Sequence, residues 1–144
     1  MLVRQILKSK GSDTVLTICP DATVAEAARM LSERRIGCLV VSRDGATPIG
    51  MISERDIVRE VGTRGAACLQ ERVEQLMTAR VVTCGCDDQA DAVLGQMTEG
   101  RFRHLPVMDD GRMVGLVSIG DVVKARLSEL AMEKDALEGM IKGF

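Results

Sequence analysis

The sequence predicts a mixed α/β (α+β) fold in which two pseudo-symmetric β-α-β-β-α repeats pack face to face through their sheets. The chain has 144 residues, about the length of one domain. Its second half repeats the first, and each half alternates short apolar runs with helical periodicity. One half is too short to bury a sufficient core alone, so we expect the halves to share one structure with paired clefts between them.

The internal repeat sets the expected organisation of the chain. We place copy one at 14–61 and copy two at 80–127, with an offset of 66 residues that becomes 65 after one extra residue in the first copy. The remainder divides into an N-terminal helix or linker (1–13), a linker (62–79) and a C-terminal helix (128–144). Matched pairs include Val15 and Val81, Thr17 and Thr83, Asp21 and Asp87, Arg35 and Arg101, Gly50 and Gly115, Ser53 and Ser118, and Asp56 and Asp121.

Each copy is expected to open with an extended segment, at 14–18 and at 81–84, followed by a helix. Thr23 and Glu26 have the spacing of a capping box at the start of the first helix. Both helices carry apolar residues at i, i+3, i+4 and i+7, the pattern of one buried face. These faces are Val24, Ala27, Ala28 and Leu31 in the first copy and Ala90, Val93, Leu94 and Met97 in the second.

Two apolar runs then predict a hairpin in each copy. Asp44-Gly45 and Asp110-Gly111 lie between the runs and are hairpin turn signals. The runs cover residues 38–41 and 49–52 in the first copy and residues 105–108 and 113–117 in the second.

A final helix is expected to begin after Ser53 in the first copy and after Ser118 in the second. In each case an aspartate, Asp56 or Asp121, follows three residues later. The spacing fits a capping box that satisfies free backbone N–H groups. It equally fits a ligand site, because a helix N-terminus attracts phosphate and a carboxylate there can accept hydrogen bonds from the vicinal hydroxyls of a ribose.

Composition and charge disfavour several classes of protein. The net charge is −2, whereas a chain that coats nucleic acid is normally basic. Two Phe and no Tyr or Trp leave few platforms for base stacking. The sequence has no apolar stretch of about 18 residues and no apolar run typical of a signal peptide. We therefore expect a cytoplasmic protein with neither nucleic acid nor membrane as a partner.

Five cysteines, an odd number without a secretion signal, predict free thiols in a reducing compartment. Cys84-Gly85-Cys86 is spaced too tightly for a common zinc motif, and His104 is the single histidine. We therefore expect ordinary buried thiols and no metal site. The sequence also shows no nucleophile–base arrangement, so we expect no catalytic residues and no enzyme activity.

The C-terminal segment carries a stripe of mostly apolar residues. Its spacing alternates between three and four residues, as in a helix that pairs with a partner helix in a dimer. Packing of the stripe on the body of the same chain is the alternative. The stripe consists of Leu127, Leu130, Lys134, Leu137 and Ile141.

Two copies of one motif carry a family resemblance. GMISERD at 50–56 and GLVSIGD at 115–121 share the pattern of Gly, two apolar residues, Ser or Thr, any two residues and Asp. RHLPV at 103–107 and QLMT at 75–78 are also typical. These motifs resemble the CBS domain, and the tandem pair resembles a Bateman module. The resemblance covers nearly the whole chain and is closest to the stand-alone bacterial type, which has no attached catalytic domain.

The resemblance implies a regulatory module that binds an adenine nucleotide, with AMP or NAD(H) as the leading candidates, and that acts as an energy or redox sensor. Such modules often form homodimers with the shape of a flat disk. The alternative is an interaction scaffold that has lost its ligand and modulates a partner enzyme or transporter. The sequence names no protein target.

The resemblance also implies roles for particular residues. Asp56 and Asp121 would bind ribose, while Arg103 and His104 would reach the phosphate of the ligand held by Asp56. The residues matched to that basic pair are the neutral Gly37-Cys38, so we expect an asymmetric phosphate clamp. The full implied set is Ser53, Arg55, Asp56, Ser118, Asp121, Arg103, His104, Leu105, Pro106 and Cys38, with Thr17, Ile18 and Pro20 beside adenine in one cleft and Thr83 in the other.

The entrances of the two clefts also differ in sequence. In the second copy Cys86 and Gln89 replace Pro20 and Thr23 of the first. We therefore expect two unequal sites, which can hold different nucleotides and of which only one is regulatory.

Overall fold

The structure is a computed structural model that describes residues 1–11 and 15–143 of the chain. It confirms the mixed α/β class, because two three-stranded sheets are each flanked by helices. The elements are α1 (Val3–Lys10), β1 (Thr17–Ile18), α2 (Val24–Arg34), β2 (Cys38–Val41), β3 (Gly50–Ser53), α3 (Glu54–Arg64), a 3-10 helix (Ala66–Gln70), α4 (Val73–Leu76), β4 (Cys84–Gly85), α5 (Ala90–Gly100), β5 (His104–Asp109), β6 (Arg112–Ser118) and α6 (Ile119–Ile141).

The two sheets have the same topology. Their strand orders are β1-β2-β3 and β4-β5-β6, and in each sheet the first pair is parallel and the second antiparallel. The opening strands are shorter than expected, because only Thr17 and Ile18 pair with β2 and only Cys84 and Gly85 pair with β5. Thr14, where the first strand was expected to begin, lies outside the described residues.

The two hairpins turn differently. In the second copy Asp110 and Gly111 both have positive φ, 51° and 75°, and join β5 directly to β6. Such a two-residue turn suits the twist of the flanking strands. In the first copy the connection is longer and spans residues 42–49. Here the Asp44 carboxylate accepts hydrogen bonds from the N–H groups of Ala46 and Thr47, which lower its pKa to about 2.

Each copy has its own hydrophobic core, and the segment that precedes one copy packs on the other. Val3 and Ile6 of α1 are buried in the core of the second copy. Val73 and Leu76 of α4 are buried in the core of the first. Burial of these apolar side chains therefore stabilises the association of the two copies.

Both faces of β2 are buried. Successive side chains of a strand point to opposite faces. Along β2, Leu39 and Val41 belong to the first core, while Cys38 and Val40 on the other face are buried outside it. This double burial accounts for a strand that is apolar throughout rather than alternating.

The C-terminal part of α6 extends away from the body. Leu130 is 48% exposed and Ile141 is 85% exposed. Leu127 and Leu137 are exposed as well, so the apolar stripe does not pack on the chain itself, and that alternative is wrong. Of the helices in the described chain, none is both long and apolar enough to span a membrane.

Candidate functional site

The first motif places a carboxylate at the start of α3. Ser53 ends β3 and caps the helix, and its hydroxyl accepts a hydrogen bond from the N–H of Asp56 at 3.3 Å. In return Asp56 Oδ2 accepts from the Ser53 N–H at 2.9 Å and from the Ser53 hydroxyl at 3.0 Å. Arg59 donates to the other carboxylate oxygen at 3.0 Å. The capping box is therefore formed, and a buried carboxylate is held at the helix N-terminus.

The second motif repeats this cap but has a different cation. Asp121 Oδ2 accepts from the Ser118 N–H at 2.9 Å and from Lys10 Nζ at 2.8 Å. Lys10 comes from α1, a distant segment of the chain. Burial alone would raise the pKa of Asp121, but the hydrogen bonds from Lys10 and Ser118 outweigh burial and lower it. The Asp121 side chain is consequently a paired carboxylate at neutral pH.

A cavity of about 270 Å³ lies between the two copies next to Asp56. The first copy contributes the start of α3 and the second copy contributes the approach to β5. Five arginines line it against two carboxylates, Glu54 and Asp56, so the lining is strongly positive. The arginines are Arg55, Arg59, Arg80, Arg101 and Arg103.

A second cavity of about 320 Å³ also takes its lining from both copies. Its lining includes Ser118 from the second motif and Cys38 from β2. Among the described residues that line it, Lys10 is the one with a permanent positive charge, and Lys10 is bound to Asp121. The two cavities therefore differ in charge although they derive from one repeated motif.

Most of the expected polar residues gather at these cavities. Ser53, Arg55, Asp56, Arg103 and His104 line the first cavity together. Cys38 at the start of β2 and His104 at the start of β5 line both cavities, and Ser118 lines the second.

The residues expected beside adenine lie elsewhere. Val15 and Leu16 line the second cavity just before Thr17 and Ile18, and Val82 lines the first just before Thr83. Thr17, Ile18, Pro20, Thr83, Leu105 and Pro106 line neither cavity; of these, Ile18, Pro20, Leu105 and Pro106 are buried. Asp121 does not line the second cavity either, although its partner Lys10 and its capping residue Ser118 do.

Burial changes the chemistry of the two side chains between the cavities. It lowers the pKa of His104, with Lys10 and Arg103 adding to the effect and Asp121 opposing it. At neutral pH His104 is therefore a neutral imidazole that can donate one hydrogen bond, not a cation. Burial also raises the pKa of the Cys38 thiol to about 12, so this thiol stays protonated.

Four basic residues at the cavities were missed by the sequence analysis: Lys10, Arg59, Arg80 and Arg101. One signal was available for Lys10 and Arg80. The segment 3–10, VRQILKSK, aligns with 73–80, VEQLMTAR, at an offset of 70 residues. The repeat thus extends upstream of both copies, and it places one basic residue at each cavity.

Within the described residues, no group of three or more His, Cys, Asp or Glu side chains is arranged to hold a metal ion. Fold and site together define a tandem module of two repeats with paired clefts. The chain belongs to the CBS domain family, whose model matches residues 3–63 and 73–128.

Solved structures of CBS proteins resemble the chain over most of its length. The CBS-domain protein ATU1752 from Agrobacterium tumefaciens is 43% identical, with a TM-score of 0.83 over 88% of this chain and 99% of that one. PAE2072 from Pyrobaculum aerophilum, complexed with AMP, is 28% identical, with a TM-score of 0.77 over 92% and 99%. The CBS domain pair of MJ0100, complexed with 5′-methylthioadenosine and S-adenosyl-L-methionine, is 26% identical, with a TM-score of 0.77 over 90% and 98%.

Proposed function

We propose that the chain is a regulatory module that binds an adenine nucleotide in the cavity beside Asp56, with AMP or NAD(H) as the ligand. The observation that carries the proposal is the pairing of a buried carboxylate at a helix N-terminus with five arginines in one cavity. A carboxylate suits the hydroxyls of a ribose, and arginine suits phosphate. AMP and S-adenosyl-L-methionine in two related structures support an adenosine ligand.

The asymmetric clamp remains part of the proposal. Arg103 and Arg101 would provide the positive charge for phosphate, while neutral His104 would add one hydrogen bond. Met51, Val82 and Phe102 are the apolar side chains of this cavity, and the adenine ring would lie among them. Binding would order arginines that are exposed in the free protein. The conformation of the surface between the two copies would then depend on the nucleotide concentration.

The same proposal includes a homodimer and a cytoplasmic location, and it includes no catalytic activity of the chain itself. The exposed stripe on α6 supports self-association, because Leu127, Leu130, Leu137 and Ile141 leave apolar area in water. Sedimentation analysis should show a dimer for the wild type and a shift toward monomer for Leu130→Glu/Leu137→Glu. The double change Glu133→Lys/Glu138→Lys on the same helix is the charge control and should leave the dimer in place.

The ligand itself can be identified without a prior guess. Protein purified quickly from cells and then denatured should release a nucleotide that mass spectrometry identifies as an adenine compound. Asp56→Ala purified in parallel should release much less of it. If the wild type releases nothing and no adenine nucleotide raises its melting temperature, the alternative applies, namely a ligand-free scaffold that modulates a partner protein.

A further inference from the structure

Asp56 and Asp121, the two carboxylates expected to bind ribose, are paired with different cations. Asp56 is paired with Arg59 from its own helix, and that arginine side chain is 64% exposed. Asp121 is paired with Lys10 from α1, whose side chain is 36% exposed. An exposed partner within one helix can swing into water at little cost. The difference between the two sites therefore lies in how firmly each cation is held.

Lys10 is fixed by two acceptors at once. Its Nζ lies 2.8 Å from Asp121 Oδ2 and 2.8 Å from the backbone oxygen of Leu116. Both acceptors belong to the second copy, at the end of β6 and the start of α6. Charge-assisted hydrogen bonds of this length are stronger than neutral ones.

The helix that carries Lys10 is itself docked along its length. The Val3 and Arg4 N–H groups donate to the backbone oxygens of Asp88 and Cys86 at 2.9 and 3.0 Å. Leu7 lies so close to Gly115 that a Cβ there would sit 2.6 Å from the leucine Cδ2. Lys10 therefore cannot leave Asp121 by a movement of α1 without loss of these contacts.

The pseudo-equivalent residue behaves differently. Arg80 aligns with Lys10 at the offset of 70 residues and lines the first cavity. Within the part of the chain that the structure describes, Arg80 makes no ion pair, and Asp56 keeps its exposed Arg59 partner. Lys10 thus holds Asp121 of the second motif, whereas Arg80 leaves Asp56 paired with an exposed arginine of its own helix.

We infer that Lys10 is a built-in occupant of the second cavity, which blocks Asp121 from accepting a ribose and restricts the chain to one nucleotide, at Asp56. This inference rests on the proposed function. A ribose diol must donate to the carboxylate to bind, and at Asp121 it would have to displace an ammonium that is already hydrogen-bonded there. Lys10 is then the residue that makes two repeated sites unequal.

Isothermal titration calorimetry with AMP tests the inference. Wild type should bind about one AMP per chain, and Lys10→Met should bind two, because the second site gains about tenfold or more in affinity when the competing charged hydrogen bond is removed. Lys8→Met, on the same helix, is the matched control and should still bind one. Asp121→Ala combined with Lys10→Met should return the count to one.

Different contrary results would overturn the role of Lys10 and the proposed nucleotide binding at Asp56. If wild type binds AMP through Asp56 but Lys10→Met shows no second site, the role of Lys10 is overturned while the proposed function stands. Weaker AMP binding in Lys10→Met has the same consequence, because it would make Lys10 a ligand contact. Absence of AMP binding in every variant overturns both. Lys10→Gln provides a second variant should Lys10→Met fold poorly. Carbon NMR titration should also show a higher pKa for Asp121 in folded Lys10→Met than in wild type, and an unchanged pKa overturns the ion pair.

Discussion

Docking of α1 on the second copy can be tested by truncation of one buried side chain. Ile6 is 2% exposed and packs in the second core. Ile6→Ala removes the side chain beyond Cβ, which costs about 0.8 kcal/mol for each lost methylene-sized group plus a cavity contribution. The expected loss is about 3 kcal/mol in the free energy of unfolding. With an unfolding entropy of about 2.1 cal/mol/K per residue over 144 residues, this corresponds to a fall in Tm of about 10 °C.

Differential scanning calorimetry measures this shift directly. Lys8→Ala lies on the same helix but is exposed, so its Tm should change by no more than about 2 °C. A fall of less than about 3 °C for Ile6→Ala would refute the docking of α1, and with it the placement of Lys10 at Asp121. Leu76→Ala, the pseudo-equivalent change on α4, should cost about as much because Leu76 is buried in the first core.

Two further predictions concern protonation. The pKa of Asp121 lies below its ordinary value of 3.8 in the folded chain, so the contribution of this carboxylate to stability is complete above about pH 4 and is lost as pH falls through the folded pKa. The urea midpoint should therefore fall less between pH 5 and pH 3 in Lys10→Met, which lacks the ion pair, than in the control Lys8→Met. Equal falls in the two variants would contradict this prediction. Burial raises the pKa of Cys38 to about 12 while Cys19 is exposed, so iodoacetamide at pH 8 should label Cys19 and leave Cys38 unmodified, as peptide mass mapping would show.

The topology was predictable because its signals are local and occur twice. The capping pairs Thr23–Glu26 and Ser53–Asp56 form as their spacing predicts, and the apolar runs become strands. The two Asp-Gly pairs show the limit of local signals. Asp110-Gly111 forms a tight turn, whereas Asp44 uses its carboxylate to bind two later N–H groups and supports a longer loop.

The charge pattern of the cavities was harder to predict from the sequence, because it depends on which segments of one copy pack against the other. Arg101 ends α5 with a positive φ of 58° and lines the first cavity, while its sequence counterpart Arg35, with φ 53°, lines neither. Lys10 reaches Asp121 across 111 residues of sequence. Neither placement follows from spacing within one repeat, since each requires the packing of one copy on the other.

In the proposed function, Asp56 holds the ribose of the nucleotide. This role can be measured by calorimetric titration of wild type, Asp56→Ala and Asp121→Ala with the nucleotide identified by mass spectrometry. The loss of two charge-assisted hydrogen bonds to ribose should weaken binding by Asp56→Ala about 10- to 100-fold, whereas Asp121→Ala should bind within about twofold of wild type. Unchanged affinity in Asp56→Ala, with the loss found in Asp121→Ala instead, would show that Asp121 and not Asp56 binds the ribose.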